Sequence, residues 1–177
     1  MTKVGRYGIF GGRRPDDWCH HITCGVRSDG TSPARDFWEK LSRGEWEEDP
    51  LSPTIPDDEQ VKDRDALRHK MRFLAEQGEP ERATDVNLLQ NGVWEFKHGN
   101  KRIAFADTDG QGGFKPKGKI QERSDSPDPD SPCWWFPEMD EHLRLLNAWP
   151  KVSQRADPED IHTAETIAKE DREHDQQ

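Results

Sequence analysis

The stretch LLQNGVWEFKHGNKRIAFAD, residues 88–107, decides the fold of this chain. Short runs rich in Val, Trp, Phe and Ile are separated by turn residues, as in a series of β-strands. Asn91 and Gly92 form the strongest short hairpin signal that a sequence offers. A second turn is expected at HGN, residues 98–100. The stretch therefore predicts a meander of short antiparallel strands.

One strand and two helices are predicted before this meander. CHHITCGVR, residues 19–27, alternates apolar and polar positions as a half-buried strand does. Ser32 and Pro33 suit the first turn of a helix, as N-cap and first helical residue. A second helix is expected to start near Asp57 and to end at Gly78, a natural C-cap residue. Two helices joined by a loop favour an antiparallel helical hairpin.

The end of the chain predicts one more strand and one more helix. HLRLLNAW, residues 142–149, reads as the last strand, and Asp157 with Pro158 suits the start of a final helix. The expected fold class is thus α+β. It consists of an antiparallel sheet of about four to five strands packed on an N-terminal helical hairpin, with a short C-terminal helix.

A length of 177 residues fits one domain with appendages. Residues 1–17 are rich in glycine and predict a flexible N-terminal arm. Residues 18–171 form the predicted single domain, and residues 110–133, with several prolines and few apolar side chains, predict a disordered insertion. Residues 172–177 are expected to be a charged tail, and a disordered, solubilising role is the favoured interpretation. Mimicry of nucleic acid, or folding back over the basic strand as an internal inhibitor, is the alternative.

The composition is polar and acidic, with 30% hydrophobic and 35% charged residues and a formal net charge of −10. Seven tryptophans nevertheless provide large apolar surfaces for a small core. The net charge disfavours general adhesion to nucleic acid or to an anionic membrane. Residues 95–123 reverse the sign, with seven Lys or Arg against four acids. A site for a polyanion is expected there or near the basic N-terminus.

No stretch has the length and apolarity of a membrane span or of a signal peptide, so a cytoplasmic protein without membrane contact is expected. Three cysteines suit a reducing compartment. Cys19, His20, His21 and Cys24 are residue types that bind zinc. Their spacing differs from the usual Cys-x2-Cys pair, and a purely structural strand is the favoured interpretation.

Two stretches resemble the RelE/HigB-like toxins, especially the phage-derived HigB-like group. Residues 88–110, LLQNGVWEFKHGNKRIAFADTDG, are similar to the family pattern L-x-x-G-L-W-E-L-R…Y-R-I-x-Y. Residues 145–164, LLNAWPKVSQRADPEDIHTA, are similar to L-L-H-x-F-x-K-K-x-x-x-T-P-x-x-E-I-x-x-A. The chain departs from the pattern where Val152 follows Lys151 in place of a second lysine, and in its acidic net charge.

The resemblance implies the toxin of a type II toxin-antitoxin system, a ribosome-dependent mRNA endonuclease that inhibits translation. Its implied partners are mRNA on the ribosome and a cognate antitoxin protein, and no metal or cofactor is expected. Cleavage of RNA by its own 2′-OH requires cations that stabilise a dianionic phosphorane. The candidates for this role are Lys97, Arg102, Lys151 and Arg155. Lys97 matches the basic residue that ends W-E-L-R, and Arg102 matches the arginine of Y-R-I.

A proton donor is harder to assign from the sequence. His98, beside the predicted basic strand, and His162, in the predicted last helix, titrate in the useful range. The chain's one tyrosine, Tyr7, lies in the predicted arm. Ordinary solvent-facing charge remains the alternative for the four cations, and a helix-surface position is the alternative for His162.

Two other functions stay open. The same fold could be catalytically decayed and serve as a non-enzymatic protein-binding module, which the missing second lysine and the acidic charge favour. It could also inhibit DNA gyrase, as ParE-like relatives do. Trp134 and Trp135 could stack on RNA bases. Packing of one ring in the core and one over an edge is the more common role for such a pair.

Overall fold

The computed structural model describes residues 5–11, 15–50 and 57–177. The α+β class predicted from the sequence is confirmed. None of the helices in the described ranges has the length and apolarity needed to cross a membrane. The helices and strands are, in chain order, β1 His21–Cys24, α1 Pro33–Ser42, α2 Asp57–Gln77, β2 Val86–Gln90, β3 Val93–His98, β4 Lys101–Thr108, β5 His142–Pro150 and α3 Pro158–Asp175.

The five strands form one sheet in the order β1-β5-β4-β3-β2. Strands β2 to β5 pair antiparallel, whereas β1 pairs with β5 in parallel. The prediction of a wholly antiparallel sheet is therefore wrong, because the sheet is mixed. The physical reason is the long connection from β1 to β5, which passes through α1, α2 and the three strands β2 to β4 before the chain returns beside β1 in parallel.

The structure confirms two local signals of the sequence, the turn between β2 and β3 and the end of α2. Asn91 and Gly92 have φ values of 53° and 80° and connect β2 to β3. Helix α2 ends directly before Gly78, whose φ is 81°. Ser32 is the N-cap residue of α1, but its hydroxyl makes no capping hydrogen bond.

Helices cover both faces of the sheet. On one side, here called the core face, α1 and α2 contact each other and the strands. Residues 51–56, the connection that would make these two helices a hairpin, lie outside the described residues. The core face buries Trp94, Phe96, Ile103, Phe105, Leu143 and Leu145.

The opposite side, here called the α3 face, buries Val93, Ala104, Ala106, Leu146 and Trp149 against α3. Helix α3 covers only part of this side. Glu95, Lys97 and Arg102 continue it beyond the start of the helix, because side chains two residues apart on a strand share a face.

The predicted flexible arm, residues 1–17, contacts the domain where the structure describes it. The amide of Cys24 donates to the carbonyl of Tyr7 at 2.8 Å, Gly8 pairs with Thr23, and Ile9 is buried. Residues 5–11 of the predicted flexible arm are thus placed against the domain. These residues cover the outer edge of β1, which would otherwise expose unpaired backbone groups.

The insertion at residues 110–133 has no helix or strand beyond a short 3-10 turn at Arg123–Asp125, but it is not a free loop. Trp94 Nε1 donates to the carbonyl of Lys117 at 3.1 Å, and Lys117 Nζ contacts Asp107 at 2.6 Å. The amide of Ile120 donates to the carbonyl of Trp135 at 2.8 Å. The segment predicted to be disordered is thus placed against the sheet by polar contacts, although it has few apolar residues.

The acidic end of the chain also belongs to the fold. Helix α3 continues to Asp175, so the separate charged tail predicted for residues 172–177 is wrong for most of its length. Asp171 contacts Arg144 at 2.8 Å and Arg6 at 3.1 Å, and Asp175 contacts Arg6 at 2.8 Å. Two largely buried arginines therefore neutralise carboxylates that the sequence presents as a solvated run.

Candidate functional site

A groove of about 710 Å³ opens on the α3 face, next to the first turn of α3. Strands β2, β3 and β4 form its floor, and the segment between β5 and α3 forms its wall. All four cations predicted from the sequence line it, together with one buried carboxylate. Those residues are Lys97, Arg102, Lys151, Arg155 and Glu95.

Strand register brings the first two cations together. Lys97 of β3 lies directly opposite Arg102 of β4. Lys151 and Arg155 lie on an exposed segment that follows β5. The amide of Lys151 donates to the carbonyl of Asn100 at 2.7 Å, which ties the start of this segment to the turn between β3 and β4.

Arg102 is held in place by the backbone of that turn. One terminal nitrogen donates to the carbonyls of Gly99 and Lys101, each at 2.8 Å. Its Nε lies 3.7 Å from Glu95 Oε1, and the two side chains are only 11% and 7% exposed. Burial lowers the pKa of Arg102, and the charge of Glu95 opposes that shift. The guanidinium is therefore fixed before any ligand arrives.

Glu95 is the site residue that the sequence analysis missed. Burial raises the pKa of its carboxyl group, while Arg102, Lys97 and a hydrogen bond with Asn87 act in the opposite direction. Its Oε2 atom is buried and has no hydrogen-bond partner among the described residues. A signal was present in the sequence: Glu95 lies two residues from Lys97, so the two share a strand face.

Lys97 is a cation without a close carboxylate. Burial lowers the pKa of its ammonium group most, followed by the positive charge of Arg102, and Glu95 partly opposes both. Lys151 and Lys119 lower the pKa of Lys97 further. The groove thus concentrates positive charge around a half-buried lysine, which makes that lysine a better proton donor than one in water.

Neither histidine predicted as a proton donor lines the groove. His98 follows Lys97 on β3 and therefore points to the core face, where its Nε2 lies 3.3 Å from Asp63 Oδ1. His162 is exposed on α3 and lies outside the groove lining. The structure therefore brings neither histidine into this groove, because the period of its own strand or helix directs each side chain elsewhere.

The start of α3 forms an acidic rim. Asp157 accepts a hydrogen bond from the amide of Glu159 at 2.9 Å, which confirms its predicted role as N-cap. Asp160 also lines the groove, and burial, followed by the charge of Asp157, raises the pKa of its carboxyl group. The groove therefore has a cationic floor and a rim of carboxylates.

The Cys and His residues near β1 have structural contacts. Cys19 Sγ donates to the carbonyl of Glu76 at 3.4 Å, and His20 Nδ1 lies 2.8 Å from the carbonyl of Asp140. Cys24 is buried, and burial raises the pKa of its thiol to about 12. Within the described ranges, no group of three or more Cys, His, Asp or Glu side chains is arranged to hold a metal ion.

Comparison with known proteins gives no indication of what the groove does. No family model matches the chain, and no curated protein matches it significantly. The functional argument therefore rests on the cations, the buried carboxylate and the position of the groove on the sheet.

Proposed function

We propose that the groove cleaves single-stranded RNA, and that the protein is a toxin of the type II toxin-antitoxin class that cuts mRNA on the ribosome. The observation that carries the proposal is Glu95. It is a buried carboxylate with one unpartnered oxygen, and it lies beside a fixed guanidinium on the floor of a cationic groove. A base beside a preorganised cation is what attack by a ribose 2′-OH on its own phosphate requires.

Glu95 is the base in this mechanism. A carboxylate with a raised pKa binds a proton more strongly than an exposed one, so it removes the 2′-OH proton more effectively. The 2′-oxygen then bonds to phosphorus. Because Glu95 is held on a strand, its oxygen keeps a fixed position relative to Arg102, which orients the reacting groups.

Arg102 stabilises the phosphorane. Its hydrogen bonds to two backbone carbonyls fix one side of the guanidinium and leave it poised to contact the developing charge. Lys151 and Arg155, on the exposed wall, contact the neighbouring phosphates. Arg102 thus acts on the transition state, whereas Lys151 and Arg155 hold the RNA strand.

Lys97 completes the reaction as the acid. Its lowered pKa favours transfer of a proton to the leaving 5′-oxygen as the P–O5′ bond breaks. The products are a 2′,3′-cyclic phosphate and a 5′-hydroxyl end. One proton moves to Glu95 and one leaves Lys97, so proton exchange with water restores both groups after each turnover.

The proposed antitoxin is a protein whose acidic side chains cover the cationic floor. It would occupy the groove in place of phosphate groups, since carboxylates and phosphates bind the same cations.

A second function has one observation in its favour. Among the described residues, no imidazole and no phenol lines the groove. Under that alternative the groove only binds an acidic partner segment and performs no chemistry.

The test is inducible expression in a bacterium, with growth followed and new mRNA 5′ ends mapped. The unchanged chain is compared with an Arg102→Ala/Lys151→Ala variant and with Lys115→Ala, a matched loss of one exposed cation outside the groove. Growth arrest with new ends in phase with codons, lost only in the double variant, is the expected result. Normal growth and intact mRNA at verified soluble expression would overturn the nuclease in favour of a binding module. Arrest with intact mRNA and inhibited gyrase would instead support the ParE-like alternative.

A further inference from the structure

Two tryptophans and two cations form a surface beside the groove, here called the platform: Lys119, Arg123, Trp134 and Trp135. Lys119 Nζ lies 5.2 Å from the ring centroid of Trp135, and Arg123 Cζ lies 5.4 Å from that of Trp134. Both rings are only partly buried. Each cation therefore lies over a ring that is only partly buried, although Trp135 also packs against the core.

The protein holds the Trp135 ring rigidly from the other side. Trp94, which is buried, stacks on it with a centroid distance of 6.3 Å and an interplanar angle of 15°. Phe136 contacts it edge-on at 6.1 Å. The backbone carbonyl of Trp135 also accepts the hydrogen bond from Ile120 described above. The platform is thus a supported aromatic surface within a segment that lacks regular secondary structure.

Trp135 packs on the core-face side of the sheet and the groove opens on the α3 face, so the edge strand β2 separates the platform from the groove. A Cβ atom on Gly118 would lie 3.9 Å from Leu88 Cδ2, so the insertion runs alongside β2 at this point. Asn87, the neighbour of Leu88, lines the groove. Lys119 follows Gly118 directly, and its charge acts on Lys97 within the groove. A strand of RNA that passes over Asn87 therefore meets the platform next.

We propose that single-stranded RNA leaving the groove crosses β2 and stacks two of its bases on Trp134 and Trp135. This inference rests on the proposed function, because it assumes that RNA occupies the groove. It assigns a binding site to the insertion at residues 110–133. The proposed nuclease mechanism by itself gives the insertion no role.

The chemistry of the platform fits nucleotides. A base stacks on an exposed indole more favourably than a solvated cation does, since every base has an aromatic face. Lys119 and Arg123 then move from the rings to the adjacent phosphates, so each nucleotide gains a stacking partner and a charge partner. Bases in a duplex already stack on one another, which makes a single strand the matching form.

Binding of labelled 2′-O-methyl RNA, followed by fluorescence anisotropy, tests the inference without cleavage, because the attacking hydroxyl is blocked. One RNA of about 4 nucleotides fills the groove alone, and one of about 12 also reaches the platform. We expect the longer RNA to bind about tenfold tighter or more. Trp134→Ala and Lys119→Ala should remove that excess, whereas Trp134→Phe should keep most of it.

Salt dependence separates stacking from charge. Loss of one phosphate contact in Lys119→Ala should reduce the slope of log K against log salt by about 0.7 for the longer RNA. Trp134→Ala should weaken binding and leave the slope unchanged. Lys115→Ala is the control, since Lys115 is an exposed cation of the same segment that covers no ring. Thermal unfolding of each variant verifies that it is folded.

The outcomes distinguish the two proposals. Arg102-dependent binding of the short RNA with no gain from length would overturn the platform and leave the groove. A gain from length that Trp134→Ala does not reduce would also overturn the platform. Tight binding of the longer RNA that needs Trp134 but not Arg102 would support the platform and contradict the groove. No binding of either RNA at low salt would overturn both.

Discussion

Lys97 and Lys101 lie in one hairpin, but their ammonium groups have different surroundings. Lys101 is almost fully buried on the core face, 2.7 Å from Asp49 and 2.6 Å from Asp63. Lys97 points to the α3 face, where burial and three other cations act against its charge. The fold neutralises the charge of Lys101 and leaves the charge of Lys97 only partly neutralised. An incompletely neutralised charge in a groove is the kind that a ligand or a reaction can use.

The carboxylates show the same contrast. Asp171 on α3 accepts from Arg6, from Arg144 and from the amide of Val26, so its oxygens are fully engaged. Glu95 is nearly as buried, but one of its oxygens has no hydrogen-bond partner. Buried polar groups are normally paired, because an unpaired one destabilises the fold. Several buried atoms of the described residues lack such a partner, and Glu95 Oε2 is the one among them that lines the groove.

The largest effect is expected on stability, at Lys101, whose buried charge is fully neutralised by ion pairs. Lys101→Met leaves two aspartates without their cation and should lower the free energy of unfolding by about 3–5 kcal/mol. Urea unfolding measures this loss. Lys97→Met is the matched control and should change stability by less than about 1 kcal/mol. Equal losses for the two variants would contradict the contrast between the two lysines.

Removal of the fixed guanidinium should have the next largest effect, and on activity rather than stability. Arg102→Ala should reduce the rate of RNA cleavage about 10²- to 10³-fold, as loss of a preorganised stabiliser of developing charge does. Arg102→Lys keeps the charge but loses the contacts to the two carbonyls, so it should recover only a small part of the rate. Full activity of Arg102→Lys would show that charge alone is sufficient.

Glu95→Gln should lower the cleavage rate about hundredfold and at the same time stabilise the protein at neutral pH. The raised pKa of Glu95 means that the folded protein binds the proton more tightly than the unfolded chain does. Its contribution to stability is therefore present below the unfolded pKa and is lost as the pH rises through the folded pKa. Glutamine stays neutral and avoids that loss.

The pH dependence of these two quantities tests the role of Glu95. Cleavage by the unchanged chain should rise as the pH passes the folded pKa of Glu95, and the small residual activity of Glu95→Gln should not show this rise. Chemical unfolding of both proteins from acid to neutral pH should show their stabilities diverging in favour of Glu95→Gln. An unchanged pH profile in the variant would exclude Glu95 as the base.

The smallest effect concerns the helix caps. Asp157 makes its capping hydrogen bond at the start of α3, whereas Ser32 makes none at the start of α1. Asp157→Ala should lower the free energy of unfolding by about 1 kcal/mol, and Ser32→Ala should lower it by clearly less. Thermal unfolding of the two variants gives the comparison. A larger loss for Ser32→Ala would mean that its hydroxyl has a role that the structure lacks.

Local patterns in the sequence predicted local structure well. The Asn91-Gly92 turn, the end of α2 at Gly78 and the Asp157 cap depend on interactions between neighbouring residues, so the sequence contains them directly. The parallel pairing of β1 with β5 joins residues that are distant in the chain. The ion pairs of Arg6 and Arg144 with α3 are equally distant, and local patterns do not contain them, so residues 172–177 were predicted as a charged tail.

The candidate site was predicted in part for the same reason. Lys97 and Arg102 come together because the hairpin turn fixes their register, and Lys151 and Arg155 follow on the chain segment that closes the groove. The roles of Glu95 and His98 were not predicted, since they depend on which face of β3 meets the groove. The alternation of side chains along β3 assigns Glu95 and His98 to opposite faces. Which of these faces carries the groove depends on how α3 packs on the sheet.

The most direct test is the cleavage of a reporter mRNA by the purified protein in a reconstituted translation system, with and without ribosomes. The unchanged chain is compared with Glu95→Gln, Arg102→Ala and Lys115→Ala, all verified as folded. The account predicts cuts with a 2′,3′-cyclic phosphate and a 5′-hydroxyl end, dependent on ribosomes, lost in the first two variants and retained in Lys115→Ala. Intact mRNA with the unchanged chain, or cuts that survive in both groove variants, would contradict it.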